Sequence, residues 1–135
     1  MMAADFWSLI ESNPVTSRAD VEAAVGRVEQ RLHALDLADL VDFQEQLDRN
    51  LDALDLNSLA SVQVELAEDL ILEQTADHFL YARCACLLAG REEARAVLEE
   101  SARFSNFVAP RLQSAEALLY LARTEYQKRT GEPMM

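Results

Sequence analysis

Glycine, proline and cysteine are scarce in this chain of 135 residues, at three, three and two. So few turn-formers argue against a turn-rich β fold and against disorder. Cys84 and Cys86 are the only thiols. Two positions apart on a helix, their side chains point about 200° apart, so they cannot bridge each other without unwinding it. There are two histidines, His33 and His78, and no Cys-x-x-Cys or His-x-x-x-His pair. A zinc site needs four ligands, or three plus water, so no metal and no cofactor is expected. The catalytic signatures are missing too. There is no Gly-x-Ser-x-Gly elbow, no glycine-rich phosphate loop and no Asp-x-Asp-x-Asp-Gly calcium loop. Cys84 or Cys86 with His33 would make a nucleophile pair, but the stronger reading is that both cysteines are small core residues. The N-terminal stretch has neither the basic region nor the long apolar run of a signal peptide. With the unbridged thiols, this points to a reducing cytoplasm.

What is abundant is acid, alanine and leucine. Asp and Glu number 24 against 12 Lys and Arg, giving a net charge of −12 and a pI near 4.4. An acidic chain repels phosphate, so no nucleic acid and no anionic membrane is expected as a partner. Arg supplies 11 of the 12 basic residues, a bias associated, like the high alanine content, with GC-rich bacterial genomes. Alanine and leucine make up about a third of the chain and favour helix. The length fits a single domain spanning 1–135, large enough to bury roughly 68% of its unfolded surface without staples.

Residues 77–90 read DHFLYARCACLLAG, and between Phe79 and Ala89 the only charge is Arg83. A helix apolar nearly all round is a buried one. Eleven residues at about 1.5 Å rise cannot cross a bilayer. The expectation is an all-α domain of six or seven helices around this central helix at about 77–89.

A short first helix at 3–12 carries Phe6, Trp7, Leu9 and Ile10 and ends at Asn13-Pro14, because the residue before proline leaves the α region. The second begins at Ser17, where Ser17 with Asp20 resembles a capping box. Val21, Ala24, Val25, Val28, Leu32 and Leu35 follow its helical period; Gly26 lies off that stripe. Ala34-Leu-Asp-Leu-Ala-Asp-Leu40 recurs as Ala53-Leu-Asp-Leu-Asn-Ser-Leu59. Asp36 and Asp55 are placed as N-caps of the third and fourth helices. The third runs over 37–53, with Leu37, Leu40, Val41, Leu47, Leu51 and Leu54 inward. The fourth runs over 57–72, with Leu59, Val62, Leu66 and Leu70 inward. Thr75 or Asp77 caps the central helix, and Gly90 closes it. A sixth helix covers 91–101. A loop over 101–113 tucks down Phe104, Phe107 and Val108, and the seventh helix starts at Ser114 with Ala117, Leu118, Leu121 and Tyr126 on its apolar side. No stretch shows sustained strand alternation.

Two sets of residues are candidates for function. Twelve acidic residues and one basic one, Arg49, lie between Asp36 and Asp77. On the third helix Asp39, Asp42, Glu45 and Asp48 recur every three residues, so neighbours are adjacent. They form either a solvated face or a docking face for a basic protein partner. Arg83 needs a partner in so apolar a helix, since an unpaired buried charge costs several kcal/mol. It serves either as a structural arginine, paired with a carboxylate or with helix C-terminal carbonyls, or as an anion-binding arginine with Asp77 and Arg91 near it.

Several separated blocks also resemble a known family. They are Phe6-Trp7-x-Leu9-Ile10, then Asp77-x-Phe79-x-x-x-Arg83 with Gly90-Arg91-Glu92, then Tyr120, Glu125-Tyr126 and Lys128-x-Thr130-Gly131-Glu132. In this order, over most of the chain, they resemble the bacterial domain of unknown function DUF4240. Residues 62–74 stand where that family often has a Trp-rich block and an Asn-Gly-Gly-Cys segment, and Ala82 and Ala85 stand where it usually has aromatics. The resemblance implies a fold and no chemistry. The leading reading is a non-enzymatic cytoplasmic interaction or regulatory protein. The second is a small-molecule or anion-binding domain, with or without catalysis, sited near Asp77, Arg83 and Arg91. An exposed acidic or apolar patch would favour the first, and a cleft with convergent polar groups the second.

Overall fold

The computed structural model describes residues 5–65 and 71–134. The expected start of the first helix at Ala3, and the inward positions Leu66 and Leu70, lie outside them. Seven α-helices are seen: α1 Phe6–Ile10, α2 Arg18–His33, α3 Leu37–Ala53, α4 Asn57–Ala60, α5 Ala76–Ala89, α6 Arg91–Glu99 and α7 Leu121–Thr130. Two 3-10 helices, Ser101–Phe107 and Pro110–Leu119, link α6 to α7. The class is all-α, and one hydrophobic cluster draws on every α-helix.

The central helix is α5. Thr75 Oγ1 accepts from the His78 N–H and so caps its first turn. Phe79, Ala82 and the run from Cys84 to Leu88 are buried. Its most extensive packing is with the second 3-10 helix. Ala82 and Ala85 are both buried. On α2 the expected stripe is buried at Val21, Ala24, Val28 and Leu32, with Val25 and Leu35 partly so. Ser17 caps it as expected, but the Asp20 carboxylate reaches Thr16, accepting from its N–H and its hydroxyl. Arg129 of α7 closes the other end of α2, donating to the carbonyls of Leu32, His33 and Leu35. The Glu125 carboxylate fixes that guanidinium at 2.8 Å.

Four expectations are corrected. The fourth helix is one turn, not sixteen residues. It stops at Ala60, and the chain forms a two-stranded antiparallel ribbon, β1 Val64–Glu65 with β2 Ile71–Leu72. Gln74 Nε2 donates to the carbonyls of Leu59, Ala60 and Val62, taking up groups that a longer helix would have bonded itself. The β-branched Val62, Val64 and Ile71 suit the extended backbone. Asp55 is not a cap, because the N-cap of α4 is Leu56, without a side-chain bond; Asp36 does cap α3 through the Asp39 N–H at 2.8 Å. Leu37 is exposed rather than inward, since Phe43 and Gln44 take the buried face of α3. Residues 101–113 are mostly 3-10 helix rather than loop, and the helix expected from Ser114 is 3-10 from Pro110 to Leu119, with α7 beginning at Leu121. Proline at the first position presets that turn's φ. Phe104, Phe107 and Val108 are buried as expected.

Gly26 sits within α2, and a Cβ there would meet nothing within 4 Å. Gly26→Ala therefore stabilises the protein by up to about 1 kcal/mol through helix propensity. A thermal melt should rise by about 2–4 °C; an unchanged or lower melt would mean that α2 needs this glycine for something else.

Candidate functional site

Arg83 lies half-buried on α5. Its Nη1 donates to the Leu51 carbonyl in the last turn of α3 at 2.9 Å. Its guanidinium stacks 4.3 Å from the centroid of the Phe79 ring, one helical turn before it. Of the partners anticipated, helix C-terminal carbonyls are the ones it has; among the described residues no carboxylate lies within 4 Å. Asp77 stands exposed in the first turn of α5. Arg91 stands exposed at the first position of α6 and lines a groove of about 170 Å³ with Trp7 and Leu98. Arg91 lines that groove without Asp77 or Arg83.

The acidic residues of α3 divide into two kinds. Asp42 accepts from Gln46 Nε2 at 2.7 Å, and Gln46 Oε1 in turn accepts the Phe6 N–H, which seats α1. Asp48 accepts from Gln44 Nε2 at 3.0 Å. Asp39 and Glu45 have no side-chain partner among the described residues, and Glu45, Asp48 and Asp52 are exposed. No described cation pairs with any of them. Elsewhere some cations do pair, Arg18 with Glu22, Arg31 with Glu11, Arg103 with Glu100 and Arg129 with Glu125.

Both thiols are buried in α5, and burial pushes each up to about 12. Neither is a thiolate near neutral pH, so neither is a ready nucleophile. His33 meets Glu125 at 3.1 Å on the surface. His78 is a strut. Its Nδ1 accepts from the Gln113 amide at 2.7 Å, which leaves Nε2 to donate to the Val108 carbonyl at 2.6 Å. It thus pins both ends of the 108–113 turn to α5. Among the described residues, no three His, Cys, Asp or Glu side chains are arranged to hold a metal ion. No helix there is long and apolar enough to cross a membrane.

The fold places its concave surface elsewhere, around Arg111. Arg111 Nε donates to the Thr16 carbonyl at 2.9 Å, tying the second 3-10 helix to the start of α2. Its side chain is a shared wall of three clefts. One of about 430 Å³ runs toward Asn13, Glu93 and Phe107. One of about 350 Å³ lies between Arg18, Tyr81 and Glu116. One of about 330 Å³ reaches Gln63 and Ile71 of the ribbon. In the second, the Glu116 carboxylate raises the pKa of the neighbouring Tyr81 hydroxyl above the ordinary phenol value. The Ser114 hydroxyl at this cleft is buried without a partner. None of these residues carries a motif. Arg18 and Arg111 are 93 positions apart, and only the packing of the second 3-10 helix on α2 joins them.

Residues 1–128 match a family described as protein of unknown function (DUF4240). The chain belongs to the DUF4240 family. No curated protein and no solved structure matches it. The blocks that carry this DUF4240 resemblance are largely structural here. Phe6 and Ile10 are fully buried, Phe79 and Arg83 stack on each other, and Gly90 joins α5 to α6. Within the 62–74 segment, Val64–Glu65 pairs with Ile71–Leu72, and Gln74 bonds the Val62 carbonyl.

Proposed function

We propose that this DUF4240 chain is a non-enzymatic interaction or regulatory module of the bacterial cytoplasm, which docks a basic protein segment on the outer face of α3. The observation that carries this is the uncompensated acid there. Asp39, Glu45 and Asp52 project from one helix with no described cation in contact, whereas Glu11, Glu22, Glu100 and Glu125 each pair with an arginine. Like charges one turn apart, as Asp42 with Glu45, Glu45 with Asp48 and Asp48 with Asp52, disfavour the helix by a few tenths of a kcal/mol per pair, and a basic partner would relieve that repulsion. Arg49 is the one cation in the series. The buried thiols and the absence of a preformed nucleophile or metal cluster among the described residues support a binding role over catalysis.

Affinity capture from the native host, repeated in rising salt, tests this reading. The bound protein should be basic, and its retention should fall steeply with ionic strength, because exposed charges are screened over about 8–10 Å. Retention that is independent of salt would reject an electrostatic docking face.

A further inference from the structure

We propose that the cleft between the start of α2 and the second 3-10 helix binds a small zwitterionic molecule, its carboxylate or phosphate held by Arg18 and Arg111 and its amine by Glu116. This is a site apart from the acidic face of α3, with a different chemistry.

The cleft measures about 350 Å³, enough for a ligand of amino-acid size. It is lined by charges of both signs, with Arg18 and Arg111 the cations and Glu116 the anion. Arg111 is anchored through Nε to the Thr16 carbonyl, so its position is set before any ligand arrives. Neither of its Nη atoms has a described partner, and a planar guanidinium fork is suited to carboxylate or phosphate. Arg18 meets only Glu22, in a pair whose side chains are 76% and 58% exposed. Such a pair is worth little and is readily exchanged for a ligand. At Glu116 the carboxylate faces the Tyr81 hydroxyl and no described cation. Gln113 and Ser114 also line the cleft, the Gln113 amide bonded to His78 and the Ser114 hydroxyl buried without a partner. A simple anion would satisfy the arginines and meet repulsion at Glu116; a molecule with both charges matches both ends.

Chemical-shift titration of the full chain with acetate, β-alanine, inorganic phosphate and phosphoethanolamine, at constant ionic strength, tests this. Each amine-bearing probe should bind more tightly than the partner that lacks the amine. Arg18→Gln with Arg111→Gln should weaken all four by about tenfold or more, the size expected for losing charge-assisted hydrogen bonds. Arg18→Gln alone breaks only a surface pair, and it keeps the test open if the double variant folds poorly. Glu116→Gln should abolish the advantage of the amine and tighten acetate binding, because the repulsion at Glu116 is gone. The proposal is overturned if no probe shifts resonances of Arg18, Tyr81 or Glu116 at millimolar concentration, if the arginine variants bind as the parent does, or if the amine advantage survives Glu116→Gln.

Discussion

Gly90→Ala lowers stability by about 3 kcal/mol or more, the largest effect expected of any single methyl in this protein. Gly90 joins α5 to α6 with φ 117° and ψ 174°, a region that side-chain-bearing residues rarely enter. A Cβ there would lie 2.7 Å from Ser12 Oγ, 3.0 Å from the Glu11 carbonyl oxygen and 3.1 Å from Ser12 Cα. Two of those three atoms are backbone, so the 11–12 segment itself would have to move. That segment has little slack, since Glu11 already sits at φ 60° and ψ −160° and its side chain is held 3.3 Å from Arg31. Gly131 is the control. It too has a positive φ, 74°, but a Cβ there meets nothing within 4 Å. Gly131→Ala should cost only about 1–2 kcal/mol, the left-handed penalty without the collision. Urea denaturation of both variants separates the two terms. Equal losses would show that the contact with Ser12 does not matter.

Asn13→Ala should lose about 2–4 kcal/mol, because a single buried amide bridges three elements. Its Nδ2 donates to the Ile10 carbonyl at 2.9 Å and the Leu88 carbonyl at 2.8 Å, closing the ends of α1 and α5. Its Oδ1 accepts from Arg27 Nη2 at 2.8 Å and Nε at 3.2 Å, which brings in α2. Alanine leaves the Leu88 carbonyl without a donor, the Ile10 carbonyl with only a 3.4 Å bond from Arg31, and the Arg27 guanidinium without its acceptor. Asn13→Asp keeps the acceptor for Arg27 but, once ionised, offers no donor to either carbonyl, so it should rescue little. Melts of the two variants within a degree of the parent would refute the bridge.

Asn13 and Gly90 show what was legible in the sequence and what was not. The central helix could be read directly, because a run with one charge in eleven residues has few places to go but the core. Gly90 could be placed at its end, and Asn13-Pro14 at the end of the first helix. That the two meet could not be read, since no local period relates residues 77 positions apart. The fourth helix failed for the opposite reason. Leu59, Val62, Leu66 and Leu70 satisfy a helical period, and nothing in that period shows Gln74 returning to take up the carbonyls of Leu59 and Val62. Arg83 was recognisable as an arginine in need of partners. Its guanidinium meets the end of α3 and the Phe79 ring, while its Nε is buried without a partner. The cleft at Arg111 left no trace in the sequence, because its two arginines come from separate elements with no shared motif. Of the acidic residues, spacing revealed the series on α3 but not that Asp42 supports Gln46 and, through it, α1.

The most direct measurement for the docking role is a parallel capture of partners by three forms of the full chain. They are the parent, the triple variant Asp39→Lys, Glu45→Lys, Asp52→Lys, and the double variant Arg18→Gln, Arg111→Gln. The triple variant leaves Asp42 and Asp48, and so their hydrogen bonds, intact. It should melt close to the parent and yet lose the basic partner, with association slowed more than dissociation is hastened, while the arginine variant retains it. Recovery of the same partner at the same level by the parent and the triple variant would contradict the docking role of α3.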